Sequence, residues 1–114
     1  MTATKIDKAT LVRAFREAAA AALAADPGQD DDGGTCNFDT PAVQLPRVPE
    51  KLVEECAAEA GITASAFHWF GGRRWFFVYV PTHGQANRRT IMAEAGCRCL
   101  KASGLDAMMY MQAD

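Results

Sequence analysis

Cysteine and histidine are the residue types in this chain that could support nucleophilic catalysis. Cys36 follows the stretch GGT, and its thiol could act as a nucleophile if His68 or His83 served as the base. No local pattern would orient such a base or build an oxyanion hole. We therefore expect no catalytic residue, and a small cysteine-dependent enzyme using Cys36 remains an alternative.

A second candidate for chemistry is the segment PTHGQANRR, residues 81 to 89. Thr82 and Gln85 form a T-x-x-Q capping box, which predicts that a helix begins here. Amides at a helix N-terminus, together with Arg88 or Arg89 and the nearby His83, could hold a phosphate or a carboxylate. A well-capped helix with a solvated first turn explains the same residues, and we prefer that interpretation.

The four cysteines have no C-x-x-C pair among them. Cys97 and Cys99 are two apart in a predicted helix, so they point about 200 degrees apart and cannot easily bind one ion. The spacing favours neither zinc nor a disulfide framework, and we expect reduced thiols in a cytoplasmic protein. Cys56 and Cys99 are expected to be small core residues.

Acidic residues cluster in the stretch DPGQDDDGG, from 26 to 34. An EF-hand would need a third ligand after Asp30 and Asp32, where the chain has Gly34. We interpret residues 27–34 as a solvated acidic linker, and we expect neither a metal nor a cofactor.

Composition and charge favour one folded domain that does not bind polyanions in general. The chain has 114 residues, of which 49% are hydrophobic and 23% charged, and its net charge is -2. Phosphate-driven binding needs a clustered cationic surface. No segment approaches 18 uninterrupted apolar residues, so we expect no membrane span. Glu17 and the lack of a bulky apolar run argue against a signal peptide.

Hydrophobic periodicity predicts the elements that would position these residues. A helix over 8–25, within an N-terminal segment 1–26, has Leu11, Phe15, Ala18 and Ala22 on one stripe. Residues 35–114 then form the core of the domain. Its predicted elements are a strand near 35–45, a helix from Pro49 to Gly61, two strands joined at Gly71-Gly72, a helix ending at Gly104, and a last strand LDAMMYMQ.

This order of elements resembles the ferredoxin-like βαββαβ fold, with an additional N-terminal helix. The resemblance implies an α+β protein whose antiparallel sheet carries two helices on one face and has its first and third strands in the centre. Pro41 departs from it, because proline cannot donate to a central ladder. We expect a bulge or two short strands there.

The stretch RRWFFVYV, residues 73 to 80, is apolar on both faces of its predicted strand. A two-residue Gly-Gly turn would pair His68 with Trp75 and Phe67 with Phe76. We expect Phe67 and Phe76 to face the helices. Trp75, Phe77 and Tyr79 would then lie on the sheet face opposite the helices, which we call the open face.

Something should cover the open face. Three rings left in water would forfeit roughly 5 to 9 kcal/mol, as much as the whole stability of a small domain. We expect the N-terminal helix, whose apolar stripe has no other evident partner, to lie across it. Another protein or a second copy of the chain is the next candidate, followed by nucleic acid or a small ligand.

The same stretch partly resembles the ribonucleoprotein-1 octamer of RNA-recognition-motif domains. Arg73, Trp75, Phe77 and Val78 match that pattern, whereas Arg74 replaces its usual glycine. The resemblance implies single-stranded nucleic-acid binding by base stacking on Trp75 and Phe77, with Arg73, Arg74, His83, Arg88 and Arg89 as candidates for contacting phosphate. The companion motif on the first strand is absent, so we keep this only as an alternative.

The stretches DDGGTCNFDTPAV and SGLDAMMYMQAD are similar to small uncharacterised proteins carried by phages and integrative elements of gut bacteria. The similarity spans residues 31–114 and transfers no catalytic residue. It implies an accessory or anti-defence protein, such as an inhibitor of a CRISPR nuclease, that acts by occluding a partner.

The last predicted strand adds a second apolar surface, because Met108, Met109 and Met111 offer adaptable contacts at what would be a sheet edge. With so little chemistry and so much apolar strand, the sequence predicts a small non-enzymatic module that binds another protein, with a homodimer as one form of that contact. The predicted partner-binding residues are Trp75, Phe77, Tyr79, His68, Met109 and Met111.

Overall fold

The computed structural model describes residues 6–30, 36–68, 74–84 and 86–113. Across these ranges the chain is a mixed α+β protein with three helices and one four-stranded antiparallel sheet. In chain order the elements are α1 (Lys8–Ala24), β1 (Cys36–Gln44), α2 (Glu50–Glu59), β2 (Thr63–His68), β3 (Arg74–Tyr79), α3 (Ala86–Ala102) and β4 (Ala107–Ala113). The strand order is β2-β3-β1-β4, so β1 and β3 are central and β4 forms one edge.

Helix α1 forms as its sequence pattern predicts, but it packs in an unexpected place. The Asp7 side chain caps it by accepting a 2.8 Å hydrogen bond from the Thr10 amide. The predicted stripe is buried, and Phe15 has no exposed surface. Helix α1 contacts α2 and α3, and its stripe shares one core with Val43 and Phe76 of the sheet. It therefore lies on the helical side.

The prediction that α1 covers the open face is thus wrong, and side-chain size gives the reason. Half of its buried residues are alanines, which let neighbouring helices approach closely, and Phe15 packs into the shared core. The end near Lys8 is fixed to α2: the Cys56 thiol donates to the Lys8 carbonyl oxygen across 3.8 Å. The Lys8 ammonium also lies 3.4 Å from the Glu59 carboxylate.

Strand β1 is continuous through Pro41, although proline cannot donate to a ladder. It pairs with β4 from Cys36 to Val43, with one irregularity between Cys36 and Phe38, and with β3 only from Ala42 to Gln44. Beyond that point the Thr40 hydroxyl donates to the Val78 carbonyl oxygen at 3.0 Å. The hydroxyl supplies to β3 the hydrogen bond that Pro41 cannot make, which is why a central strand tolerates this proline.

The register of the β2–β3 hairpin differs by one residue from the prediction. Phe67 pairs with Trp75 and His68 with Arg74, whereas we expected His68 to pair with Trp75. The predicted Gly71-Gly72 turn lies outside the described residues. Since a slip of one residue moves every side chain of a strand to the opposite face, Phe67 lies on the open face and His68 on the helical side. The small Ala64 and Ala66 face the helices instead.

Helices α2 and α3 complete the helical side of the sheet. Helix α2 ends just before Gly61, and α3 ends just before Gly104, as predicted. Helix α3 begins at Ala86, three residues later than a capping box with Thr82 as the N-cap predicts. Its buried side consists of Met92, Ala93, Ala95, Gly96, Cys97 and Leu100.

Within the described ranges, none of the helices combines the length and the apolar character that crossing a membrane requires.

Candidate functional site

The described strand residues on the open face carry no charge, and the exposed Asp106, which lies opposite Gln44 just before β4, marks the rim of this face. Strand register and the alternation of side chains identify its members. They are Thr40, Ala42 and Gln44 of β1, Thr63, Ser65 and Phe67 of β2, Trp75, Phe77 and Tyr79 of β3, and Met108 and Tyr110 of β4. The strands therefore contribute only uncharged side chains to this face, and rings and hydroxyl groups make up much of it.

Four rings on this face form one cluster, which we call the aromatic cluster: Phe67, Phe77, Tyr79 and Tyr110. Phe67 and Phe77 stack with centroids 3.8 Å apart and planes within 3°. Tyr110 meets the Phe77 ring edge-on at 5.1 Å and the Phe67 ring at 5.7 Å. Tyr79 lies 5.9 Å from Phe77, and its hydroxyl hydrogen-bonds Ser65 at 3.0 Å. Such pairs stabilise each other beyond their area burial.

The cluster resolves the problem of rings left in water. Ala42 and Thr40, the small residues of the central strand on this face, are buried, while Phe67, Phe77 and Tyr110 are half-buried. The rings therefore shelter one another and the strand between them. Tyr79 remains 37% exposed and Met108 42% exposed, so the outer part of the surface is accessible.

The predicted partner-binding residues divide between two faces. Phe77 and Tyr79 lie on the open face, as does Trp75, which is buried with 4% of its surface exposed. The strand register places the other three, His68, Met109 and Met111, on the helical side of the sheet. Phe67 and Tyr110, which take part in the cluster, were not among the predicted residues. Each is the single Phe, Trp or Tyr of its strand, which was a signal, but the strand register is needed to place it on the open face.

The predicted anion candidates do not form an accessible cluster around Arg88. Its Nε lies 2.8 Å from Asp26 Oδ1, and its Nη2 donates to Oδ2 at 3.1 Å. Asp30 lies 3.8 Å from Arg88 Nη1. The Arg88 hydrogen bond, with help from the Gly28 amide, lowers the pKa of Asp26 to about 2. Arg88 thus ties the segment after α1 to the first turn of α3.

Gly84 makes this tie sterically possible. Its backbone has φ of +72°, and a Cβ atom at this position would collide with the Asp30 carboxylate and the Arg88 side chain. His83, beside it, is exposed, and Arg89 is half-buried. Arg74 lies on the helical side of β3, 6.0 Å from the Phe76 ring, and Arg73 is outside the described residues.

A buried polar contact joins β1 to α3. Asp39 is 3% exposed, and its Oδ2 accepts a hydrogen bond from the Thr90 hydroxyl at 2.5 Å. In the described part of the chain, Asp39 Oδ1 makes no hydrogen bond. This buried contact was not predicted from the sequence. An acidic residue in phase with the core residues Pro41 and Val43 was the available signal.

The described thiols are poorly suited to nucleophilic chemistry. Burial raises the pKa of Cys56, Cys97 and Cys99, and the reactive form of a cysteine is the thiolate. Cys56 and Cys97 are buried, while Cys99, the other predicted core thiol, is half-buried. The Cys36 side chain lies outside the described part. Among the described residues, no three His, Cys, Asp or Glu side chains are grouped closely enough to hold a metal ion.

The comparisons with known proteins identify no relative of this chain. No family model matches the chain, and neither the curated proteins nor the solved structures contain a match to it.

Proposed function

We propose that this protein is a non-enzymatic binding module that uses its open face to contact and occlude another protein. The observation that carries the proposal is a face of uncharged strand residues on which a preassembled aromatic cluster remains partly exposed. The cores of protein interfaces are enriched in aromatic residues and methionine and depleted of charge. Rings already held by their neighbours lose little freedom on binding, which favours affinity.

The alternative of single-stranded nucleic acid has weaker support. Base stacking needs an accessible ring face, yet Trp75 is 4% exposed and Phe67 covers one face of Phe77. The described side chains of the open face include no cation to meet a phosphate backbone. An apolar protein surface is therefore the better complement.

We also propose that β1 to β4, with α2 and α3, form a ferredoxin-like unit to which α1 is an addition. The element order after α1 and the strand order β2-β3-β1-β4 support this assignment.

The resemblance to phage and mobile-element proteins makes the proposed binding function more specific, because it implies a host defence nuclease, of the CRISPR type, as the partner. Inhibition by occlusion would need no catalytic residue.

Site-specific photocrosslinking tests the proposal. A photoreactive phenylalanine analogue replaces Tyr79, at the exposed rim of the open face, and in a matched control it replaces the exposed Glu94 of α3. In cells of the native host, we expect Tyr79 to yield a discrete adduct with a second protein and Glu94 to yield none.

Two results would contradict the proposal. Equal adducts from both positions, or none from Tyr79, would mean that the open face is not a specific protein-binding surface. An adduct at Tyr79 that nuclease treatment removes would support the nucleic-acid alternative instead.

A further inference from the structure

Among the described strands only β1 pairs with β4, so β4 has an outer backbone edge whose orientation can be derived. The Gln44 amide donates to the Asp106 carbonyl oxygen at 2.9 Å, which makes these two residues a hydrogen-bonded pair. Hydrogen-bonded and non-hydrogen-bonded pairs alternate along an antiparallel ladder. Met108 and Tyr110 therefore direct their backbone groups toward β1, while Ala107, Met109 and Met111 direct theirs away from it. We call these outward backbone groups the free edge.

Natural sheets protect their edges with charges, prolines or bulges. Strand β4 has neither a charged residue nor a proline from Ala107 to Ala113. Its described irregularity lies at the far end, opposite Cys36 and Phe38. Met108 is 42% exposed on the open face, and Met111 is 49% exposed on the helical side, so apolar side chains flank the free edge on both faces. The opposite edge, β2, exposes Thr63 and His68 instead.

We propose that two copies of this chain form a symmetric homodimer in which β4 pairs antiparallel with β4 of the second copy. A strand without charge meets its own copy without like-charge repulsion, and the net charge of the chain is only -2. The proposal goes beyond the proposed function and does not depend on it, because the free edge and the open face are different surfaces.

Side-chain contacts across the joint select the register of this pairing. An axis at Met109 sets Asp106 opposite the partner's Gln112 and places Met108 beside the partner's Tyr110. A methionine sulfur next to an aromatic ring is a favourable contact. The dimer therefore has Met109 at its centre.

This register has a consequence for the open face. Tyr110 is the member of the aromatic cluster on β4. The aromatic clusters of the two copies therefore meet across the paired β4 strands, and each Tyr110 lies beside the Met108 side chain of the other copy. Two four-stranded sheets then present one continuous surface.

Hydrogen exchange at two protein concentrations, with light scattering as the measure of mass, tests the pairing. At high concentration we expect the mass of two chains and slow exchange at the Met109 and Met111 amides. On dilution to the monomer these amides should exchange quickly. The Met108 amide, which faces β1, should stay protected at both concentrations.

A matched pair of variants separates backbone pairing from side-chain adhesion. Met111→Pro removes an outward donor without touching a hydrogen bond to β1, and edge strands tolerate proline in that orientation. Met111→Ala removes the same side chain but keeps the donor. We expect the dimer to be lost in Met111→Pro at concentrations where the wild type is fully dimeric, and to persist in Met111→Ala.

The proposal is overturned by a monomer at every concentration, by a dimer that Met111→Pro leaves intact, or by loss of the dimer in Leu23→Ala on the distant α1. The exchange pattern of the wild type decides the matter if Met111→Pro fails to fold. A monomer that still gives the Tyr79 adduct would refute only the dimer, and a dimer without the adduct would refute only the proposed function.

Discussion

The two faces of the sheet solve the same burial problem in different ways. Along β3, Phe76 and Val78 have no exposed surface because three helices cover them, whereas Phe77 and Tyr79, on the opposite face, stay partly exposed among other rings. The helical side achieves burial with alanines and close helix contacts. The open face achieves it with rings that stack on each other. The difference indicates that the helical side contributes most of the stability and that the open face remains available for contact.

The largest effect should follow from removing a ring on the helical side. Phe76→Ala empties a fully buried site and should lower the free energy of unfolding by about 3 to 5 kcal/mol. Denaturant titration, with the midpoint and slope compared with the wild type, measures this change.

Phe77→Ala is the matched control, one residue away on the other face. Because the Phe77 ring is half-buried, we expect a loss of about 1 to 2 kcal/mol, with a stronger effect on partner binding than on folding. Equal destabilisation by the two variants would contradict the contrast between the faces.

Removing the polar contact within the helical side should destabilise the fold less than Phe76→Ala does. Thr90→Val keeps the side-chain shape but removes the hydroxyl that donates to the buried Asp39 carboxylate. Leaving that acceptor without its partner should cost about 1 to 3 kcal/mol. Thr90→Ser keeps the hydroxyl and should stay close to the wild type. If the valine variant is as stable as the serine variant, the contact does not stabilise the fold.

The sequence predicted the features that depend on residues close together in the chain better than those that depend on distant residues. The extent of α1, its buried stripe and the ends of α2 and α3 follow from local periodicity and glycine positions, and they were predicted. The place where α1 packs was not, because an amphipathic stripe specifies that a face is buried without specifying its partner. The alanines of that stripe fit helices better than a sheet of rings.

The candidate site was predicted only in part, because it depends on strand register. Trp75, Phe77 and Tyr79 were assigned to the correct face from alternation within one strand. Phe67 was assigned to the wrong face because a register shift of one residue changes the phase of the whole partner strand. Tyr110 joins the cluster across β1, and no periodicity within a single strand reveals a contact of that kind.

The smallest expected effect concerns the rim of the helical side, where Asp26 holds the segment after α1 against Arg88. The pKa of Asp26 is about 2 in the folded protein, below its ordinary value of 3.8, chiefly because Arg88 hydrogen-bonds the carboxylate. The folded state therefore binds this proton less readily than the unfolded chain. The stabilisation is fully present above about pH 4 and is lost as the pH falls toward 2.

Asp26→Asn removes this titration while keeping the shape of the side chain. We expect the variant to be less stable than the wild type near neutral pH, and the difference to shrink as the pH falls from 4 toward 2. Denaturant titrations at several pH values measure that difference. A difference that stays constant over this range would mean that the Asp26 carboxylate gains nothing from Arg88. In that case the ion pair would not help to hold α1 in place. The buried apolar stripe alone would anchor the helix, as the contrast between the two faces already suggests for the rest of α1.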